Sequence, residues 1–429
     1  MSTVVCLGGY GQFGLTTARL LAGRPEVEQV VVAGRSLAKA EAAAEQLGPK
    51  ARGLRADVDD AASLAEAVRG ATVVVSTLWQ PAQRQDPIIR AAASAGAHYV
   101  DLSGRSPSGD VDARARRAGI TAVTGAGASP GLTNLIGKSA ADALEEVEGV
   151  IGVMVWPRPL DAWSDLFEAY IALPGGSRRG PEGRRLYAAL TARALDPTDT
   201  WTVVRDARVV PFWMTLLADP SGWVEAVPVA EAGRIHHVHP RQDGVEVPRI
   251  DGGTTRMRPL LTEVGASNMP RLEGVPVQEV NISGFSEAFD VLLLDAAERV
   301  RGGSDPLALA DTVHTTLAQD VATYLLPPDR LAALPPYAAV AVGRRGGQVA
   351  RSTVTLDPAA FDPENFLELT SAVQTLTVRH LLDGSITSRG VHRLEDVMEL
   401  SPAFEREYRA LLPVMPEGTD LFGRVVDEP

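Results

Sequence analysis

The feature that most constrains this chain is a run of glycines set directly behind an apolar strand. Thr3-Val4-Val5-Cys6-Leu7 is rich in β-branched residues, as a buried strand requires. Gly8-Gly9-Tyr10-Gly11-Gln12-Phe13-Gly14 follows without a gap and contains G-x-G-x-x-G at Gly9, Gly11 and Gly14. The spacing predicts an amphipathic helix over roughly Gln12 to Ala22 and a second apolar strand over Val27 to Ala33. Strand, glycine turn, helix and strand in that order is the context in which this pattern binds a dinucleotide. Gly9 permits the tight turn, Gly11 lets backbone approach a pyrophosphate, and Gly14 lets the helix pack on the strand. The pyrophosphate belongs at the helix N-terminus, where N–H groups and the macrodipole favour an anion.

The end of the second strand chooses between the two nicotinamide dinucleotides. An NAD site places Asp or Glu there to accept from the ribose 2′-hydroxyl. This chain has Ala33-Gly34-Arg35-Ser36, with Lys39 one helical turn further on. A guanidinium, a hydroxyl and an ammonium suit a 2′-phosphate, so NADP is the expected cofactor. The blander alternative leaves Arg35 and Lys39 solvated and makes Ser36 an ordinary N-cap.

Composition narrows the classes that remain. A chain of 429 residues has room for two or three domains, and 45% apolar with 22% charged residues is ordinary for a globular protein. The net charge of −13 argues against nucleic acid or an anionic membrane as partner. The single cysteine, Cys6, excludes an intrachain disulfide and a Cys-based metal site. A reducing, cytoplasmic setting is expected, with no basic leader and no membrane-length apolar run.

Strand and helix patterns alternate to about residue 146. Expected strands are Arg52–Ala56, Ala71–Leu78, His98–Leu102 and Ile120–Thr124, with helices over Asp60–Arg69, Pro81–Ala95 and Val111–Ala118. Six strands with short crossovers predict an α/β fold, a doubly wound parallel Rossmann sheet. After Val147 the texture changes to strand-like runs between long Gly/Pro loops, with five of the six tryptophans at 156, 163, 201, 213 and 223. That predicts a second, α+β domain with strands near Val275–Phe285, Tyr337–Val342 and Gln348–Leu356, and with a core or a homodimer interface holding the tryptophans. Two helices, about Pro363–Asp383 and Leu394–Leu412, carry apolar stripes that need cover.

The first third resembles the NADP-binding, saccharopine reductase-like branch of the saccharopine dehydrogenase family. The resemblance rests on LGGYGQFG at 7–14, VVVAGRS at 30–36, VVVSTLWQPAQRQDPIIRAAASAGAHYVDLSG at 73–104 and AVTGAGASPGLTN at 122–134. A weaker likeness reaches GVPVQEVNISGF at 274–285 and LLDGSITSRGV at 381–391. It implies hydride transfer with NADP(H) and the making or breaking of a C–N bond in an amino-acid-like substrate. It also implies a discontinuous first domain, 1–132 with 365–429, and a substrate and dimerisation domain over 133–364. The implied cofactor residues are Gly9, Gly11, Gln12, Phe13, Gly14, Arg35 and Ser36. Asp57 would meet the adenine, and Ser76, Thr77 and Leu78 the nicotinamide ribose. One departure stands out: the family's Asp-Pro-Gly after the sixth strand is Ser129-Pro130-Gly131 here. Ser129 reads as an N-cap with Pro130 in the first helical turn, and a serine cannot act as an acid near neutrality.

The candidates for chemistry sit at the ends of the fifth and sixth strands. Asp101 and Ser103 are expected to point to the cleft, with Asp101 as acid or water-orienting group and Arg105 gripping a carboxylate. His98 lies at the wrong end of its strand. His236-His237-x-His239 lacks the further ligands a metal needs, so no metal is expected. Arg178-Arg179 reads as a solvated loop. The lysines at 39, 50 and 138 are preceded four residues earlier by Arg35, Gln46 and Asn134, which removes a Tyr-x-x-x-Lys dyad; G-x-S-x-G is absent too. Two function classes remain: an NADP-dependent reductase of an imine or enone, and an NADP-binding sensor without turnover.

Overall fold

The computed structural model describes residues 2–78, 82–103, 107–155, 227–231, 234–238, 245–257, 270–282, 287–305, 308–309, 312–313, 316, 321–324, 333–362 and 365–427. The tryptophans, Pro81, Arg105, Arg178-Arg179 and His239 lie outside them. Alternating elements open the chain: β1 (Thr3–Leu7), α1 (Gln12–Ala22), β2 (Gln29–Gly34), α2 (Leu37–Leu47), β3 (Ala51–Arg55) and α3 (Ala61–Ala67). They continue with β4 (Val73–Ser76), α4 (Ala82–Ala95), β5 (His98–Asp101), α5 (Gly109–Ala118), β6 (Thr121–Thr124) and α6 (Leu132–Asp142). Then come β7 (Glu146–Val155), β8 (Val227–Glu231), β9 (Arg234–Val238), β10 (Val245–Pro248), β11 (Thr254–Met257), β12 (Val277–Ile282) and α7 (Glu287–Arg301). The chain closes with β13 (Tyr337–Arg345), β14 (Gln348–Leu356), α8 (Phe366–Leu382), β15 (Gly390–Arg393), α9 (Pro402–Arg409) and β16 (Phe422–Asp427).

Two compact units form. One holds residues 1–152, 265–279 and 337–429; the other holds 153–264 and 280–336. In the first unit a seven-stranded sheet runs in the order β15-β6-β5-β4-β1-β2-β3. Every neighbouring pair in it is parallel, so all carboxyl ends share one edge. The order reverses between β1 and β4, and ligands of such sheets bind outside the strand ends at that switch point. The central strands are apolar on both faces because helices cover both. Val4, Val5, Cys6, Val30, Val31, Val32, Val73, Val74 and Val75 are all at most 1% exposed. Burial pushes the Cys6 thiol up to about 12, which leaves it an inert core side chain.

Two expectations need correction. Six strands are legible along the first 124 residues, and the seventh, β15, arrives from the C-terminal segment. Only four residues long, it is too short for periodicity to reveal, and it pairs from Gly390 opposite Thr121 to Arg393 opposite Thr124. The closing helix expected over Leu394–Leu412 breaks into a single turn, Leu394–Val397, and α9. Pro402 has no N–H to continue a helix, and the Ser401 hydroxyl caps the new one by accepting from Phe404 N–H at 3.2 Å.

A five-stranded sheet follows the order β12-β7-β13-β14-β16, with β13–β14 and β14–β16 antiparallel. The β13–β14 hairpin turns on Gly346 and Gly347, whose φ of 58° and 77° fit a two-residue type I′ turn. Helix α6 packs on β13 and β14. In the second unit, β8 and β9 form one antiparallel pair and β10 and β11 another. His236 and His237 are successive residues of β9. Among the described residues no group of three or more His, Cys, Asp or Glu is placed to hold a metal. No described helix is long and apolar enough to cross a membrane.

Candidate active site

The glycine turn joins β1 to α1 at the carboxyl edge. Gly8 has φ of 78°, and its N–H and that of Gly9 both donate to the Ala33 carbonyl, at 2.9 and 3.2 Å. A Cβ on Gly9 would lie 2.7 Å from the Cys6 carbonyl, so the turn closes only on glycine. A Cβ on Gly14 would lie 2.1 Å from the Gly8 carbonyl and 2.8 Å from Thr77 Oγ1. Its contact is therefore with the turn itself and the end of β4. A Cβ on Gly11 would meet only the Gly8 carbonyl, at 3.2 Å, which leaves its outer side open. Gly11 is also the N-cap of α1 and has no side chain to accept from the first-turn N–H groups. This is a cradle for an anion, and the residues fit the phosphates of a dinucleotide. Gln12 is exposed, and the Phe13 carbonyl accepts from Ser371 Oγ at 3.3 Å.

At the end of β2, Arg35 and Lys39 are exposed, and neither has an ion pair among the described residues. The Ser36 hydroxyl accepts from Lys39 N–H at 3.4 Å and so caps α2. Beyond β3, the partly buried Asp57 carboxylate accepts from Asp59 N–H at 3.2 Å, and Asp57 N–H donates to Ser63 Oγ at 3.0 Å.

The end of β4 braces the turn. Thr77 Oγ1 donates toward the Leu7 carbonyl at 3.2 Å, with the Gly8 carbonyl at 3.4 Å. Leu78 lies under Gly8, where an added Cβ would come 2.8 Å from its Cδ2. Ser76 is fully buried, and its carbonyl accepts from Gln374 Nε2 at 3.3 Å. Sequence reasoning missed Gln374; the only signal for it was a polar residue interrupting the apolar pattern of α8.

Asp101, 1% exposed, closes β5 as a hub of four hydrogen bonds. Its Oδ2 accepts from Tyr99 Oη at 2.8 Å and Gln85 Nε2 at 2.9 Å. Its Oδ1 accepts from Ser103 N–H at 2.9 Å and Gly125 N–H at 3.3 Å. Burial pushes its carboxyl up to about 6 even though all four bonds pull the other way. Ser103 is half-buried beside it.

The loop after β6 folds back on itself and corrects the expected start of α6. Leu132 N–H donates to the Gly127 carbonyl at 2.8 Å, and Gly127 N–H to the Pro130 carbonyl at 3.0 Å. The cap is Gly131, whose N–H donates to Asn134 Oδ1 at 2.8 Å, and the helix begins at Leu132. A Cβ on Gly131 would lie 2.1 Å from the Gly127 carbonyl, so only glycine closes this loop. Ser129 is thus not the N-cap, and its buried Oγ has no hydrogen-bond partner among the described residues. Asn134 Nδ2 reaches Glu395 Oε1 at 3.2 Å, and Arg393 Nε, at the end of β15, lies 3.0 Å from the same oxygen. Burial raises the Glu395 carboxyl above its ordinary value, while the adjacent guanidinium works against that rise. Neither Arg393 nor Glu395 announced itself in sequence, because neither β15 nor the single helical turn after it did.

The ends of β1, β2, β4, β5, β6 and β15 thus gather a glycine cradle, two cations without ion pairs among the described residues and two buried polar hubs on one edge. Against known proteins, residues 4–123 match the family described as Saccharopine dehydrogenase NADP binding domain. A curated protein from Mycobacterium ulcerans (strain Agy99), "Trans-acting enoyl reductase", is 33% identical over 104 residues. That alignment covers 24% of this chain and spans only 25% of the relative. Among solved structures, the apo saccharopine dehydrogenase (L-Glu forming) of Saccharomyces cerevisiae superposes with a TM-score of 0.59 at 15% identity. The superposition covers 99% of this chain and 100% of that one, a likeness of fold.

Proposed function

Residues 4–123 belong to the saccharopine dehydrogenase NADP-binding domain family, and from that premise we propose an NADP-dependent oxidoreductase acting on imines. In this reading hydride passes to the imine carbon of an amino-acid-like substrate, or from the corresponding secondary amine. The observation that carries it is the pairing of a glycine-rich cradle with two cations, Arg35 and Lys39, that have no ion pair among the described residues at the end of β2. The cradle takes the pyrophosphate, and the cations take the phosphate that distinguishes NADP from NAD.

NADPH supplies the hydride when bound; the chain supplies placement. α1 fixes the pyrophosphate, Thr77 stiffens the turn against β4, and the 125–131 loop closes the edge beside β6. No acid needs to touch the substrate if the imine enters protonated. Hydride delivered to such an iminium would form the C–H bond while the C=N π pair returned to nitrogen, leaving a neutral amine without a proton from the protein. This matches a site in which serine stands at 129 and Asp101 is committed to four donors. Asp101 then acts as a positioning residue that holds β4–β6 loop ends together.

A second reading, reduction of a C=C bond, draws support from the likeness to the enoyl reductase. NADPH consumption separates the two when amino acid–aldehyde mixtures are compared with enones. Binding without consumption of either leaves the sensor. The cofactor half is tested by titration: NADPH should bind more tightly than NADH. Arg35→Ala should weaken NADPH by about 1–3 kcal/mol and leave NADH unchanged. Equal affinities in the unmutated protein refute the cofactor assignment.

A further inference from the structure

Tyr10 sits inside the glycine turn, yet its phenol reaches the end of β2. Its Oη accepts the Ser36 backbone N–H at 3.2 Å. Its ring lies against Gly34, where an added Cβ would come 2.4 Å from Cε1, 2.8 Å from Cζ and 2.9 Å from Oη. Gly34 is therefore a glycine because the tyrosine ring occupies the side-chain position. Turn and strand end lock together through this pair.

The lock leaves a specific imbalance of donors. A phenol both accepts and donates. The Ser36 N–H uses an acceptor position on Oη, and the phenolic proton has no acceptor among the described residues. Ser36 Oγ is taken by Lys39 N–H, so that hydroxyl already serves the helix cap. Arg35 and Lys39 bring two more sets of donors to the same turn, without ion pairs among the described residues. Guanidinium, ammonium and phenol thus belong to residues at or against one turn, and none of the three has an acceptor among the described residues. A dianionic phosphate supplies the missing acceptors.

We infer that Tyr10 is a specificity-determining residue that donates its phenolic proton to the 2′-phosphate of NADP, while Gly34 and Ser36 hold its ring in place. The inference rests on the NADP reading above and adds to it a ligand from outside the Arg35–Lys39 segment. A hydrogen bond to an ionised phosphate is roughly twice as strong as one to a neutral ribose hydroxyl, so the phenol discriminates between the cofactors.

The test is calorimetric titration of the full chain and of Tyr10→Phe with NADPH and with NADH, alongside the melting temperature of each protein. The variant keeps the ring on Gly34 and removes only the hydroxyl. The expected result is an unchanged fold, about a 10-fold loss of NADPH affinity and an unchanged NADH affinity. If the unmutated chain prefers NADPH and Tyr10→Phe keeps the same NADPH-to-NADH ratio, this inference is overturned and the cofactor reading stands. An equal loss for both cofactors makes Tyr10 a support of the turn and also overturns it. If the unmutated chain shows no preference, the cofactor reading fails first and takes this inference with it.

Discussion

Thr17 and Gln374 meet across almost the whole chain: the Thr17 hydroxyl donates to Gln374 Oε1 at 2.9 Å, and neither residue is exposed to solvent. The same amide donates through Nε2 to the Ser76 carbonyl at 3.3 Å. One side chain on α8 therefore ties helix α1 to the end of β4. Ser371 bonds the Phe13 carbonyl and Glu368 pairs with Arg19, so the same face of α8 grips α1 at three levels. The C-terminal helix is structurally part of the cofactor fold.

Gln374→Leu should show this. The substitution keeps the volume roughly constant but removes the acceptor of the Thr17 hydroxyl and the Nε2 donor to the Ser76 carbonyl from the core. A loss of about 2–3 kcal/mol in urea unfolding is expected, with weaker NADPH binding. A variant as stable as the parent would show that water or a rotated Thr17 satisfies these groups instead.

Asp101 should make stability depend on pH in an unusual direction. Its carboxyl, 3.8 unperturbed, stands at about 6 in the fold, so the folded state holds the extra proton between those values. Stability from this group is fully present below 3.8 and is lost as pH rises through about 6. Asp101→Asn cannot ionise, and other groups cancel in the comparison. The parent should lose up to about 3 kcal/mol relative to the variant between pH 4 and 7. Parallel stability curves for the two proteins over that range would refute this.

Ser129→Ala discriminates between two roles. A lost N-cap would cost about 1 kcal/mol. Because Gly131 is the cap and Ser129 Oγ is buried without a partner among the described residues, the alanine variant should instead be neutral or slightly more stable. Unchanged thermal stability with reduced turnover on an imine substrate would place the hydroxyl against substrate. A clear loss of stability would restore the capping role.

The glycine turn and the residues that follow β2 could be read from the sequence because they are local. Gly9, Gly11 and Gly14 lie within six residues, and at Gly9 and Gly14 the backbone approaches too closely for any side chain. Arg35, Ser36 and Lys39 follow the next strand, so their chemistry could be assigned by counting along the chain. The valine-rich runs of β1, β2 and β4 announced strands buried on both faces for the same reason. Their burial is repeated at consecutive positions.

By itself, then, the sequence determined the alternating α/β order, the glycine turn and the chemical character of the β2 end, since each depends on residues a few positions apart. Only the tertiary structure decided that β15 completes the sheet and that Gln374 bridges α1 to β4. It also decided that Tyr10 fills the space above Gly34 and that Asp101 is held by donors from α4, β5 and the loop after β6. Each is a contact between segments far apart in the chain, set by how elements pack. A hydrogen bond across 357 residues leaves no periodicity for a local pattern to carry.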